Sequence, residues 1–496
     1  MVLDLRSTFK RRKLELPVSL HPNSHSVTLW VGCRWKPGSP SIQAGLRVNK
    51  FMLPLLLVSV LMGNGLRSVI SSTLFVSEGI FASFLKISVS QTSVIIELLL
   101  GATLLSLLVS PWMISRFSIR SLTMIMCLIA SGSAFGIAAM FWTYPPVAVR
   151  EALVLVLFPL LGFSLASMAP VAQLLTGWGG DQHTKLLTGV WAVAMPAAFL
   201  ITPQLIRLVA PSYGLELFFA IFAVIPLLLI VAIWFLRKPS KILMSSEVTP
   251  SLIELLPAIL TLLVFELMTL LVTISGIASM LTLSMAVLFV IMMFYLFHCH
   301  RAQQPKGRAD STTVRVFIFL FLVNIATNGF YSTAYLIEYI DSDTLIANRA
   351  TLSALAQVCA AMVATAILAR YQLHQLIMFV GSIIVMIGLG SYLLYSSYPI
   401  SEVYIGSRAI TGFGMGLLTT AAIFAVSNAT AKGANLSLFI AFVIIIGMEV
   451  GLELFEVLFK LADLAQFTTD TAYTMIFAAQ IMFVFIAIPF LFSKAR

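Results

Sequence analysis

Charge is scarce in this chain. Of its 496 residues only 10% are Asp, Glu, Lys or Arg, whereas 60% are apolar and the mean hydropathy is +1.02. Soluble globular chains average about 45–50% apolar residues, so the composition excludes a soluble fold and calls for lipid as the solvent. Other absences narrow the field. No segment alternates apolar and polar residues over the roughly ten positions of a transmembrane β-strand, which leaves helices to cross the bilayer. The four cysteines, Cys33, Cys127, Cys299 and Cys359, show no paired spacing and imply no disulfide framework. His298 and His300 flank Cys299, but they fall on opposite helix faces and are poorly placed to chelate a metal together. There is no G-x-x-x-x-G-K-[ST] segment, so ATP is not an energy source held by this chain. Without a nucleophile–base or metal-ligand constellation, the sequence predicts no enzyme, no metal site and no cofactor.

What the chain does have is apolar segments of about 20 residues, the length that spans a bilayer as a helix. They recur near 51–75, 88–110, 120–142, 151–176, 186–209, 214–236, 251–274, 279–298, 312–340, 348–370, 373–395, 401–427, 436–459 and 472–493. The predicted fold is an all-α integral membrane protein with 14 transmembrane helices. Lys and Arg are retained on the cytoplasmic side of membranes. With the N-terminus inside, that side collects Arg116, Arg120, Lys185, Arg237, Arg301, Arg315, Arg370 and Lys432 among others, against Lys86, Arg150, Arg207, Arg349 and Lys460 outside. Both termini are therefore expected in the cytoplasm. The net charge of +10 reflects this topology and gives no ground for nucleic-acid binding. Residues 1–50 are basic, carry scattered prolines and lack a helical period. They read as a disordered cytoplasmic tail, or as sequence upstream of a start at Met52, without the apolar core of a signal peptide.

An internal repeat predicts the architecture. "SRFSIRSLTM" (115–124) aligns with "ARYQLHQLIM" (369–378) at an offset of 254, and the same offset pairs Tyr144-Pro145 with Tyr398-Pro399. "LGFSLAS" (161–167) pairs with "TGFGMGL" (411–417) at an offset of 250. Both Arg loops fall on one side, so the halves are parallel repeats of the kind found in carriers that rock around a central site. The expected organisation is two six-helix pseudo-symmetric halves, 51–236 and 312–496, with two extra central helices and their linkers in 237–311.

Three segments carry a family resemblance. "PWMISRFSIR" (111–120) stands where the major facilitator superfamily has its G-x-L-x-D-R-x-G-R-[RK] loop; Arg116 and Arg120 match, whereas Pro111, Ser115, Ser118 and Ile119 do not. "GVWAVAMPAAFLITPQL" (189–205) is similar to the fifth helix of the fourteen-helix drug:proton antiporters, and "SYGLELFFAIFAVIPLLL" (212–229) to the start of their sixth. The resemblance implies a cytoplasmic gate built on Arg116, Arg120 and Arg370. Because Ser115 replaces the family's latch Asp, the gate is expected to be weaker or to use Asp181, with Ser115 able to cap a helix. The family's fourth-helix Arg position is occupied by Phe158, and its second-half counterpart is Arg408, which shifts the polar machinery toward the C-terminal half.

The segment "GMEVGLELFEVLFK" (447–460) places Glu449, Glu453 and Glu456 within an arc of about 60° on one helix face. Ionisable groups inside a membrane are functional candidates by default. Counted from the outer helix ends at about 1.5 Å per residue, Arg408 lies about 10 Å deep, Glu453 about 9 Å and Glu449 about 15 Å, so Arg408 is expected between the last two, with Glu456 nearer the rim. Arg67 and Glu97 form a second opposed pair, to be read either as proton coupling or as a static ion pair. Glu266, alone in the extra helices, ranks as a minor candidate. In "NIATNGFYSTAYLIEY" (324–339), Asn324, Asn328, Tyr331, Tyr335 and Glu338 share one helix face and suggest a substrate wall, with interhelical hydrogen bonding as the alternative. Trp191, Met195 and Phe199 would add an apolar side.

These residues predict a secondary active transporter, a proton-coupled exporter of amphipathic or cationic small molecules working by alternating access. Metabolite uptake by symport is one alternative; a membrane sensor or accessory subunit that keeps the fold without transport is the other. The expected partners are protons, a small-molecule substrate and the lipid bilayer, in a monomer of the bacterial inner membrane. Family analogy adds a periplasmic adaptor.

Overall fold

In lipid a backbone has no water to bond, and an α-helix satisfies its own N–H and C=O groups. The computed structural model of the chain describes residues 52–76, 78–86, 89–236, 252–275, 288, 311–327, 343–397, 401–429 and 439–492, and among them every regular element is a helix. The first half holds α1 (Met52–Val76), α2 (Glu78–Leu85), α3 (Val89–Arg116), α4 (Ile119–Thr143), α5 (Val147–Ala166), α6 (Met168–Thr176) and α7 (Gly180–Phe235). Then follow α8 (Leu252–Ser275), α9 (Ser311–Thr327), α10 (Asp343–Arg370), α11 (His374–Ser397), α12 (Ser401–Ala429), α13 (Ile440–Leu464) and α14 (Thr469–Ala487). Of the expected spans, 279–298 lies outside the described residues but for Leu288.

Nine helical stretches among the described residues are long and apolar enough to cross a membrane, and the chain is a multi-pass membrane protein. One of them, His183–Phe235, runs for 53 residues, about 80 Å if straight against a hydrocarbon thickness of about 30 Å. At Gly214 the backbone turns to φ 75°, which breaks α7 into two passes; a residue without Cβ takes that conformation at little cost. The 25-residue α13 has the length of a span without the composition, because Glu449, Glu453, Glu456 and Lys460 lie along it.

The repeat is visible in the helix boundaries. The pair α3 and α4 ends at Arg116 and Thr143, and the pair α10 and α11 ends 254 residues later at Arg370 and Ser397. Packing repeats as well. In the first half α1 lies on the first pass of α7, α3 on α5, and α4 on the second pass of α7, where Ser131 donates to the Ala223 carbonyl at 2.7 Å. In the second half α9 lies on α13, α10 on α12, and α11 on α14. The closest backbone approaches correspond too: a Cβ on Gly162 would meet the Leu99 carbonyl at 2.6 Å, and one on Gly416 would meet the Gln357 carbonyl.

The halves meet along α7 and α10, which run antiparallel. Lys185 donates to the Ala369 carbonyl at 2.8 Å, Gly189 abuts Thr365, and Gln204 donates to Thr351 Oγ1 at 2.9 Å. From Lys185 to Gln204 that seam covers about 28 Å, close to the thickness of the hydrocarbon. α3 also touches α13, and α8 packs on α3.

One local expectation changes, and two further residues find their surroundings. The cap of α4 is Ser118, whose hydroxyl accepts from the Ser121 N–H, while Ser115 donates to the Trp112 carbonyl inside α3. Arg150, counted among the basic residues of the outer side, is 2% exposed. Its guanidinium donates to the Phe84 carbonyl and lies 4.1 Å from the Tyr144 ring centroid and 4.8 Å from that of Phe84. Phe158 fills its position with an aromatic core, edge-on to Phe81 and Phe219.

Candidate functional site

Two adjoining cavities lie where the halves face each other. The smaller, about 50 Å³, is lined by Arg67 and Ser71 of α1, Thr103 of α3, Met195 and Phe199 of α7, and Met448 and Glu449 of α13. Arg67 is 5% exposed and Glu449 3%. Such burial in lipid is costly unless charge is compensated or the group is neutral. Arg67 contacts the Met195 sulfur at 3.5 Å, while its Nε and the Glu449 Oε2 have no hydrogen-bond partner among the described residues. The expected Arg67–Glu97 pair is therefore not made: Arg67 shares a cavity with Glu449, and Glu97 looks elsewhere.

Glu97 lines a third cavity, about 400 Å³, between α3, α5 and α8, together with Glu266, Gly101 and a wall of leucines. The Glu266 carboxyl fits over Gly101, where any Cβ would collide with it, and reaches the carboxyl of Glu449 within hydrogen-bonding range. Two carboxyl groups make such a bond only while one of them keeps its proton, since a carboxylate can accept but not donate. Glu97 is near enough to interact electrostatically with both, and Glu453 is near Glu449. The acidic group is thus Glu449, Glu266 and Glu97 across three helices, and Glu266 does not stand alone in the extra helices. Sequence spacing reveals only which residues share one helix face; nothing in it signalled that α8 would lie against α3 and bring Glu266 to Glu449.

Arg408 does not sit between Glu449 and Glu453. It lines the larger central cavity, about 220 Å³, with Asn324, Gln357, Thr411, Thr419 and Thr420, and its guanidinium lies beside Tyr404 and near Tyr392. Met195, Phe199, Met448 and Leu452 line both central cavities, which join the Arg408 side to the Glu449 side. Asn324 is 1% exposed, and its amide donates to the Leu320 carbonyl at 2.8 Å. Asn328, Tyr331, Tyr335 and Glu338 lie outside the described residues. Trp191 is absent from the residues lining either central cavity: its indole N–H donates to the Ala169 carbonyl at 3.1 Å, and its own carbonyl accepts from Asn64 at 2.8 Å. It fixes α7 to its own half.

Of the gate candidates, Arg120 donates to the Leu236 carbonyl at 2.6 Å and lies 5.8 Å from the Trp234 ring centroid. It caps the end of α7 within one half, and the contact across the halves at that end comes from Lys185. Arg116 and Arg370 end α3 and α10 as exposed basic residues in their last turns, favourable there for the helix dipole. Asp181 lies in the first turn of α7.

No family model and no curated protein matches the sequence. Solved structures do match in fold. The proton:xylose symporter XylE, bound to 6-bromo-6-deoxy-D-glucose, superposes with a TM-score of 0.61 at 14% identity over 88% of this chain and 94% of its own. The human organic anion transporter MFSD10 gives 0.61 at 13% identity over 89% and 98%, and the E. coli fucose:proton symporter FucP gives 0.55 at 16% over 90% and 100%. The chain has the fold of major facilitator superfamily transporters.

Proposed function

We propose that the protein is a secondary active transporter that couples a small molecule to protons by alternating access, with Glu449 and Glu266 as the proton-carrying pair. The observation that carries this is the Glu449 carboxyl: it is 3% exposed, opens into a cavity between the halves, and sits within hydrogen-bonding reach of a second carboxyl. A proton held there removes a buried charge, and its release restores one, so loading biases the two arrangements of the halves differently. The transporter fold supports the same reading. In this proposal the end that carries Arg116, Arg120, Lys185 and Arg370 faces the cytoplasm, following the bias of basic residues.

The geometry favours symport. The carboxyl pair and the Arg408 cavity are adjoining but separate, so proton and substrate can be held together. Export by antiport, which the sequence resemblance implies, is the second reading, supported by the contact of both cavities with Met195, Phe199, Met448 and Leu452. Through that shared wall, loading of one site can displace the occupant of the other.

Proteoliposomes enclosing a pH-sensitive dye test the proposal. Addition of carboxylates, sugars and lipophilic cations under an imposed pH gradient should move protons with at least one class, and Glu449→Gln should abolish the signal. Substrate movement that is unchanged in Glu449→Gln would remove proton coupling from this site. No movement with any class would favour a sensor or accessory subunit.

A further inference from the structure

We infer that the central cavity takes a small hydroxylated carboxylate, bound through Arg408. This rests on the transporter reading and names its substrate class. The formal charges lining the two joined cavities, among the described residues, are Arg67, Arg408 and Glu449. Among the described residues Arg408 is the formal charge that lines the larger cavity, whereas the carboxyls of Glu266, Glu97 and Glu453 gather around Glu449 beside the smaller one, so a ligand in the larger cavity meets a cation. A cationic ligand would enter against that field, whereas a carboxylate compensates it. Arg408 is the group placed to receive it. Its neighbours Tyr392 and Tyr404 are neutral hydroxyls, and its Nε makes no hydrogen bond among the described residues. A guanidinium presents a planar fork that matches a carboxylate in two parallel bonds.

The rest of the cavity specifies the remainder of the ligand. Thr419 Oγ1 is buried without a hydrogen-bond partner among the described residues, three turns along α12 from Arg408, and Thr420 and Gln357 add further polar groups. Buried polar atoms are almost always satisfied in native structures, so open ones at both ends of one cavity mark where a ligand's polar groups go. The cavity, about 220 Å³, has room for a short chain of hydroxylated carbons.

The test uses the purified full chain in detergent, with thermal unfolding and titration calorimetry against gluconate, glutarate, lactate, glucose and tetraphenylphosphonium. Gluconate should raise the melting temperature and bind, glucose should bind far more weakly, and tetraphenylphosphonium should not bind. Arg408→Gln should weaken gluconate about ten- to a hundredfold, the loss expected of a charged hydrogen-bonded partner. Gln357→Glu, nearly isosteric, adds a negative charge to the wall and should weaken it as well, which keeps the test valid if Arg408→Gln does not fold. Three results would overturn the inference: no carboxylate binds, gluconate binds both variants as it binds the unaltered chain, or tetraphenylphosphonium binds independently of Arg408. Binding is read without a membrane or gradient, so it can fail while proton-coupled transport stands, and the reverse.

Discussion

Glu266 of α8 and Glu449 of α13 bring their carboxyls within hydrogen-bonding reach, although the first belongs to the helix inserted between the two repeated halves. The extra helix is thereby tied to the interior of the bundle, beside the cavity that Glu449 lines. If the pair holds one proton between its members, each carboxyl depends on the other. Glu266→Gln and Glu449→Gln should then each suppress proton movement in proteoliposomes, and the double variant should be no worse than either. The interaction energy from the cycle should fall in the range of about 0.5–3 kcal/mol seen for contacting residues. Effects that simply add would separate the two residues.

Gly101 provides the space for that contact. A Cβ there would collide with the Glu266 carboxyl, so Gly101→Val should push Glu266 away from Glu449. The expected result is a loss of about 1–3 kcal/mol from overpacking, read as a lower melting temperature, together with proton uncoupling. Gly101→Val that unfolds at the usual temperature and still couples would show that α8 does not hold Glu266 in place.

The seam between α7 and α10 is joined at both ends, by Lys185 with Ala369 and by Gln204 with Thr351. Alternating access requires each end to part in turn. With the four native cysteines replaced, a cross-link between Lys185→Cys and Ala369→Cys should arrest transport, and so should one between Gln204→Cys and Thr351→Cys. Reduction should restore it in both. A cross-linked seam that leaves transport intact would mean the halves do not separate there.

Arg150 anchors the opposite end of the first half through the Phe84 carbonyl and two aromatic faces. Arg150→Ala should cost about 1.5–3 kcal/mol for the charged hydrogen bond, measured by thermal unfolding. Arg150→Lys should recover little of it, because an ammonium lacks the flat face that stacks on Tyr144. Full recovery with Lys would leave charge alone as the cause.

The helical fold and the repeat were legible in the sequence for physical reasons that act locally. Lipid imposes a length and a composition on each span, and both can be counted along the chain. The two Arg loops fixed the register of the halves, which the ends of α3, α4, α10 and α11 repeat. Glu449 and Arg408 were recognisable as candidates because ionisable groups are rare in such segments. Their partners were misassigned. Arg408 was expected between Glu449 and Glu453 from their depths in adjacent helices, and depth says nothing about direction around the helix axis. Arg150 and Phe158 lie on one helix, and only packing sends the charge into a box of aromatic rings and puts the ring in the core.

The sequence by itself determined the solvent, the helices and the order in which they repeat, because each follows from residues close together along the chain. Only the tertiary structure decided that Arg67 faces Glu449, that Arg408 faces a cavity lined by no carboxylate among the described residues, and that Glu266 completes a pair with Glu449. Those relations depend on which helix faces meet across hundreds of residues, and that is set by the packing of whole helices.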